Sequence, residues 1–213
     1  QLLKAQDIDF ITYKDQVIFE RNEVVKDDGT PYKVYTPYSR KWLAKYQAEG
    51  LEHFPSEDLL DNIYNENPLP QTDLKEMGMQ SSSLNPVAYK FDDELIDQYE
   101  ATRNFPSIDK TTRLGVHLRF GTQSIRKLIS KSASRENQTF VKELIWREFF
   151  MQILWHFPHT VNQCFKKQYD RIEYRNNEEE FEKWCQGKTG YPLVYAGMRQ
   201  LNRTGFMHNR VRM

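Results

Sequence analysis

Residues 137–157 read NQTFVKELIWREFFMQILWHF and carry the strongest helical periodicity in the chain. Their apolar side chains recur three and four positions apart, neither glycine nor proline interrupts them, and Pro158 follows directly. The pattern predicts one long helix that the proline ends and that buries an apolar stripe. The stripe consists of Phe140, Leu144, Ile145, Phe149, Ile153 and Leu154.

Helical periodicity extends over the whole second half of the chain, from about residue 92 onward. Further helices are predicted over residues 91–104, 123–130, 178–186 and 192–204, with Thr122 as a candidate N-cap of the second. The second half is therefore expected to be an all-α domain.

The first half has a different character. Residues 7–36 contain four short runs rich in β-branched and aromatic residues, which predict strands at 10–13, 16–19, 23–25 and 33–35. A helix is expected over 41–50, and the proline- and serine-punctuated residues 52–90 are typical of a linker. The fold class is thus mainly α, with three parts at 1–36, 37–91 and 92–213.

The composition excludes several classes of protein. The 213 residues hold 30 Lys and Arg against 30 Asp and Glu, so any nucleic-acid site must be a local basic patch. No apolar run reaches the roughly 20 residues that span a bilayer, and two isolated cysteines suit a reduced compartment. We expect a cytoplasmic, unsecreted protein, associated with the nucleoid in a bacterium. The histidines lack metal-ligand spacing, and no P-loop or hydrolase triad occurs.

One face of the long helix is chemically unusual. Glu143, Trp146, Arg147 and Phe150 are spaced three, four and seven positions apart, so they share that face. An indole flanked by a carboxylate and a guanidinium suits a pocket that stacks a flat group and holds its polar edges. A surface Glu and Arg beside a core Trp explain the spacing equally well.

Two further stretches could bind phosphate. Residues 111–115, TTRLG, place hydroxyls and a guanidinium before a segment with a helical pattern. Two threonines at a helix start are also an ordinary N-cap. Residues 188–213 contain no Asp or Glu and interleave five basic residues with aromatic ones. Such a segment fits phosphate contacts plus base stacking, or ion pairs with carboxylates elsewhere in the chain.

These stretches, in this order, resemble the flavin-binding domain of DNA photolyases and cryptochromes. The matching segments over residues 95–213 are YEATRNFP (99–106), TTRLG (111–115) with LRFG (118–121), ELIWREFF (143–150), GKTGYP (187–192), and AGMRQLN (196–202) leading into TGFMHNRVRM (204–213). Residues 1–45, with YTPY at 35–38, resemble the end of the family's N-terminal α/β domain.

The resemblance implies a deoxyribodipyrimidine photo-lyase whose helical domain binds FAD and opens onto a DNA-binding face. Light-excited reduced flavin would pass one electron to a cyclobutane pyrimidine dimer flipped out of ultraviolet-damaged DNA. A monomer without metal or membrane is implied. A second, antenna chromophore (folate or deazaflavin) would lie mostly before Gln1.

Carried over motif by motif, the resemblance also implies site residues. FAD would be held by Tyr99, Thr111, Thr112, Arg113, Leu114, Gly115, Phe140, Arg147 and Arg212. The dimer would be contacted by Glu143, Trp146, Asn209 and Met213. DNA would be bound by Arg103, Glu143, Trp146, Phe150, Asn209 and Arg210.

Three residues depart from the family pattern. Gly115 stands where many members have Ser, and Tyr195 replaces a common Asp. Tyr174 occupies the position of the outermost tryptophan of the photolyase electron relay, so it is a doubtful relay residue.

The family's remaining flavin-contacting residues would follow Met213, so the chain is expected to be a fragment that binds FAD weakly or not at all and repairs no DNA by itself. Two other functions stay open: a cryptochrome, which senses blue light without repair, and a helical DNA-binding fragment without cofactor. Repair of the (6-4) photoproduct is a further variant.

Overall fold

A computed structural model describes residues 3–52, 54–63, 72–83, 85 and 87–212. The α-helices are α1 (Tyr35–Glu49), α2 (Asp93–Asp97), α3 (Tyr99–Thr102), α4 (Gly115–Arg119), α5 (Ile125–Ala133), α6 (Thr139–His156), α7 (Glu178–Cys185), α8 (Pro192–Thr204) and α9 (Asn209–Arg212). Short 3-10 helices occupy Lys4–Gln6, Ser56–Asn62, Pro158–Val161 and Lys167–Arg171. The predicted mainly α fold is confirmed.

The chain forms two compact units. The first consists of residues 1–50 and 89–177, and the second of residues 51–88 and 178–213. The predicted three-part division of the chain stays a prediction. No helix within the described ranges is long and apolar enough to cross a membrane.

Helix α6 is the centre of the first unit. It runs from Thr139 to His156, close to the predicted 137–157, and α1, α3 and α5 pack against it. The buried side chains recur three and four positions apart, as an amphipathic helix requires. They are Phe140, Val141, Leu144, Ile145, Glu148, Phe149 and Gln152. The predicted stripe was wrong at Leu154, which is 52% exposed.

The predicted strands were wrong, because the described residues contain no strand. Residues 14–21, which we call the N-terminal strap, lie on α5 and α6 and bond to their side chains. Arg126 donates to the carbonyls of Lys14 and Asp15, at 2.7 and 3.0 Å. Ile18 and Phe19 are buried, so the apolar residues that suggested a strand here are core residues, whereas Phe10, Ile11 and Val34 of the other runs are exposed.

Helix α1 begins six residues before the predicted residue 41, at Tyr35. In the sequence, Thr36-Pro37 indicates the end of the extended pattern of residues 7–36. Proline is tolerated in the first turn of a helix, however, because the N–H it lacks has no partner within the helix there. Tyr38 and Trp42, four residues apart, are each 1% exposed and face α6.

Two predicted helices differ in detail. The helix over 91–104 is divided into α2 and α3 at Gln98, whose ψ of −1° departs from helical geometry. Helix α5 begins after Ser124. Thr122 is therefore not its N-cap, and the Thr122 hydroxyl instead bonds to Nδ1 of His117 at 2.9 Å.

The second unit holds α7, α8 and α9. Helices α7 and α8 match the predicted ranges within one residue. Gly197 on α8 allows a close approach of α9, because a Cβ at that position would collide with the Val211 side chain. Gly205 ends α8 in the left-handed conformation, with φ of 70°.

Candidate functional site

Trp146 lies in a stack of aromatic rings on the surface of the first unit. The Tyr35 ring lies parallel to the indole, with centroids 3.6 Å apart and an interplanar angle of 5°. Phe150, which is exposed, stacks at 5.5 Å, and Phe149 meets the indole edge-on at 5.7 Å. The indole therefore accepts a flat ring at the separation that a base stack needs.

Glu143 lies one turn before Trp146 and forms an ion pair with Arg103. The two side chains are 33% and 23% exposed, so the pair is partly shielded from water. The structure thus joins a residue predicted to contact the dimer to one predicted to contact DNA phosphate. Burial, and next the charge of Glu143, raise the pKa of Tyr35 to about 12.

Arg147 points to backbone carbonyls. Its Nη1 donates to the Gln16 carbonyl at 2.7 Å, and its Nη2 donates to the Leu118 carbonyl at 3.4 Å. Burial lowers the pKa of this guanidinium. The contact with Leu118, which lies in α4, places Arg147 beside the helix that the TTRLG stretch leads into.

The TTRLG stretch forms a tight loop before α4. Arg113 adopts a left-handed conformation with φ of 55°, and its guanidinium pairs with Asp109. A hydrogen bond from Lys90 is the main cause that lowers the pKa of Asp109. Strained backbone at a non-glycine residue is typical of functional loops.

This loop has features that suit an anionic group. The hydroxyls of Thr111 and Thr112 bond to no residue that the structure describes, and space beside Gly115 is open. Nε2 of His117, on α4, is buried and finds no partner among the described residues. Hydroxyl and imidazole donors near a guanidinium fit a phosphate. Leu114 is buried and so anchors the loop in the core.

Tyr99 and Phe140 lie together, with Phe140 in the core and Tyr99 half-buried. Phe140 is 3% exposed and sits between Tyr99 and Phe91, with ring centroids 5.3 and 5.6 Å away. The Arg103 guanidinium lies 6.0 Å from the Tyr99 ring. Phe140 therefore supports Tyr99, which remains partly accessible.

The other predicted site residues belong to the second unit. Asn209 and Arg210 are exposed on α9, and Nη2 of Arg212 donates to the Met207 carbonyl at 3.1 Å. Met213 lies outside the described residues. The Arg199 guanidinium lies 4.8 Å from the ring of Tyr195, so the unusual phenol packs on a neighbouring cation.

Tyr174 is 70% exposed and lies outside the helices of the first unit. No ring contact of Tyr174 is found within the described residues. Its predicted relay role stays untested. No cluster of three or more His, Cys, Asp or Glu residues suited to a metal occurs in the described part of the chain.

Sequence reasoning missed three residues around the site: Tyr35, Gln16 and Glu148. Tyr35 and Gln16 are more than 100 positions from Trp146 and Arg147, so no local pattern connects them. Glu148 gave a signal, because a carboxylate at core spacing beside Leu144 and Ile145 demands buried partners.

Two family models match the chain. The FAD-binding domain of DNA photolyase matches residues 140–213, and the DNA photolyase model matches residues 1–58. The deoxyribodipyrimidine photo-lyase of Alkalihalophilus pseudofirmus is 32% identical over 99% of this chain and 47% of that protein. The photo-lyase of Vibrio cholerae is 32% identical over 100% of this chain and 50% of that protein. The chain thus spans about half the length of the curated relatives that it matches.

Solved structures agree. A bacterial class III photolyase from Agrobacterium tumefaciens superposes with a TM-score of 0.78 at 27% identity, over 99% of this chain and 48% of that one. A cryptochrome from Synechocystis gives a TM-score of 0.69 at 21% identity, over 99% of this chain and 48% of that one, and shows the fold alone. By its sequence and its fold, the chain belongs to the DNA photolyase and cryptochrome family.

Proposed function

We propose that the chain forms the central part of an enzyme that binds FAD and uses light to repair cyclobutane pyrimidine dimers in DNA. One observation carries most weight. Trp146 offers an indole in base-stacking geometry, and the Glu143 carboxylate stands one helical turn away on the same surface. The relatives' name, deoxyribodipyrimidine photo-lyase, supports the same substrate.

In this proposal Trp146 stacks on the flipped-out dimer, and Glu143 bonds to the polar edge of a pyrimidine. Asn209 and Met213 complete the contacts to the dimer. Arg103 and Arg210 bind DNA phosphates, and Phe150 extends the aromatic surface beside Trp146. Arg103 forms an ion pair with Glu143, so in this proposal a phosphate contact of Arg103 would replace that ion pair.

FAD is the proposed cofactor, and bound reduced FAD would supply the electron that splits the dimer. The hydroxyls of Thr111 and Thr112 and the guanidinium of Arg113 would hold its phosphates. Tyr99, Leu114, Gly115, Phe140, Arg147 and Arg212 would line the rest of the site. A folate or deazaflavin antenna and a monomeric state belong to the same proposal, in which Tyr174 is a doubtful electron relay.

A blue-light receptor of the cryptochrome type is the second candidate. The observation that favours it is the Tyr35 ring, which covers the indole face that a repair enzyme needs open. A receptor that binds no dimer has no need of that face.

A repair assay separates the two candidates. The purified protein is supplied with FAD and a reductant, mixed with an oligonucleotide that holds one cyclobutane dimer, and illuminated. A repair enzyme returns the two pyrimidines, whereas a receptor leaves the dimer intact in light and dark alike. Absorbance at about 450 nm after desalting reports retained flavin. Because the chain spans about half the length of its relatives, the assay is repeated with a version extended to their length.

A further inference from the structure

Glu148 is a carboxylate at a core position of α6. It is 2% exposed, and two other segments supply four donors to its oxygens. The Ile18 N–H and Trp42 Nε1–H donate at 2.7 Å, and the Phe19 N–H and Tyr38 hydroxyl donate at 3.3 Å. An ionised carboxylate has about four acceptor positions and no donor. Three of the four donors reach Oε1 and one, the Ile18 N–H, reaches Oε2, so both oxygens are hydrogen-bonded, as a buried charge requires.

Each of the two segments that Glu148 holds carries a neighbour of the candidate site. Helix α1 begins with Tyr35, which stacks on Trp146. The N-terminal strap contains Gln16, whose carbonyl accepts a bond from Arg147. The buried Glu148 carboxylate is thus bonded to both segments that contact the candidate site, the one that carries Tyr35 and the one that carries Gln16.

We propose that Glu148 is a positioning residue that fixes α1 and the N-terminal strap on α6 and so places Tyr35 against Trp146 and Gln16 against Arg147. The importance of Trp146 and Arg147 for DNA rests on the proposed function. The placement itself does not, because it concerns contacts within the first unit alone.

Other side chains hold the same strap but cannot replace this role. Gln152 donates to the Phe19 carbonyl at 3.3 Å, and a ring nitrogen of His156 lies 2.7 Å from the Arg21 carbonyl. Neither of them bonds to α1. Within the described residues, Glu148 is the α6 residue whose side chain bonds both to the strap and to the buried face of α1.

The protonation state of Glu148 offers a way to change the placement without a mutation. Burial raises the pKa of Glu148 to about 7, against the lowering effect of its hydrogen bonds. A proton on the carboxyl needs an acceptor, and among the four partners only the Tyr38 hydroxyl can reverse its bond. Other charged or titratable groups in the described residues around Glu148 and its partners include Lys14, Glu23, Tyr32, Tyr35, Lys45, Tyr46 and Arg147.

Fluorine NMR of protein labelled with 5-fluorotryptophan tests the proposal, since the chain has four tryptophans. The Trp42 resonance reports the bond to Glu148, and the Trp146 resonance reports the stack with Tyr35. Trp184, which belongs to the second unit, serves as the internal reference, because Trp155 packs on Arg21 of the strap. We expect the Trp42 and Trp146 resonances to shift together with a midpoint near 7, and both shifts to disappear in Glu148→Gln.

Two outcomes would overturn the proposal. One is a Trp146 resonance that stays constant while that of Trp42 titrates. The other is a Trp146 resonance that Glu148→Gln leaves unchanged at every pH. A purely structural role would alter stability without this linked titration.

A second variant tests whether the linked midpoint belongs to Glu148. Tyr38→Phe removes a hydroxyl that bonds directly to the Glu148 carboxyl, so the linked midpoint should move. An unmoved midpoint contradicts the assignment to Glu148, and this test remains valid if Glu148→Gln does not fold. No flavin or DNA is present in these measurements, so their failure is distinct from failure of the repair assay.

Discussion

The Tyr35 ring covers one face of the Trp146 indole, with ring centroids 3.6 Å apart. Tyr35 is the first residue of α1, and its hydroxyl donates to the Lys142 carbonyl at 2.9 Å. An aromatic side chain thus occupies a position where a pyrimidine could stack. The placement makes Tyr35 a competitor of the proposed substrate.

Replacing Tyr35 with Ala should therefore strengthen binding of DNA that contains one cyclobutane dimer. A stacked aromatic pair is worth about 0.5–1.5 kcal/mol, so uncovering the indole should lower Kd roughly 2- to 10-fold. Fluorescence anisotropy with a labelled oligonucleotide measures the change. Tyr35→Phe keeps the ring and should bind as the unmodified protein does. Weaker binding by Tyr35→Ala would show that the tyrosine supports the substrate.

Arg147→Lys should loosen the N-terminal strap, because lysine cannot span the carbonyls of Gln16 and Leu118 as the guanidinium does. We expect a loss of about 1–3 kcal/mol in the free energy of unfolding and faster amide exchange over residues 14–21. Lys142→Arg, on the exposed surface of the same helix, is the matched control. Unchanged exchange in the strap would contradict the role of Arg147.

The helices were predictable because their signals are local. Helix α6 has no internal breaker and stops before Pro158, and α8 lies between Pro192 and Gly205. The absence of strands in the described residues was not predictable, because an alternating apolar pattern shows which side chains are apolar but not what the backbone bonds to. In the strap, the Glu148 carboxylate takes the place of a neighbouring strand.

Only the part of the site that lies on one helix could be predicted from the sequence, because only its signals are local. Glu143, Trp146 and Arg147 share a helix, so their spacing alone brings them together. The stack on Tyr35 depends on tertiary packing across more than 100 residues, and no periodicity encodes it. The ion pair of Glu143 with Arg103 is equally non-local.

Glu148 should impose a pH dependence on stability. Its folded-state pKa is about 7, above the ordinary value of 4.5, so the folded protein keeps a proton that the unfolded chain has released. The contribution of this group is fully present below about pH 4.5 and is lost as pH rises through 7. The loss amounts to at most about 3 kcal/mol. Urea unfolding at a series of pH values should show this slope in the unmodified protein and a shallower one in Glu148→Gln. Equal slopes would exclude the assignment.

Gly197→Ala should weaken the packing of α8 on α9, since the new methyl group would collide with Val211. Helix propensity alone favours alanine by about 1 kcal/mol, so a net loss of stability would show that the collision decides the outcome. Hydrogen exchange of α8 and α9 measures it locally. Gly115→Ala is the control, because nothing lies within 4 Å of its added Cβ. Unchanged hydrogen exchange of α8 and α9 in Gly197→Ala would mean that the added methyl group is accommodated without loss of stability.

Preference for damaged DNA is the most direct test of the proposal that the Trp146 face binds a pyrimidine dimer. The measurement is the ratio of Kd values for undamaged and dimer-containing oligonucleotides, at one salt concentration, for the unmodified protein, Trp146→Ala and Trp155→Ala. Trp155 is an exposed tryptophan on the same helix and controls for loss of an indole. We predict a ratio well above one that Trp155→Ala preserves and that Trp146→Ala lowers by roughly 5- to 100-fold, as loss of a base stack worth about 1–3 kcal/mol requires. A ratio near one in the unmodified protein, or one that survives Trp146→Ala, would contradict the proposal.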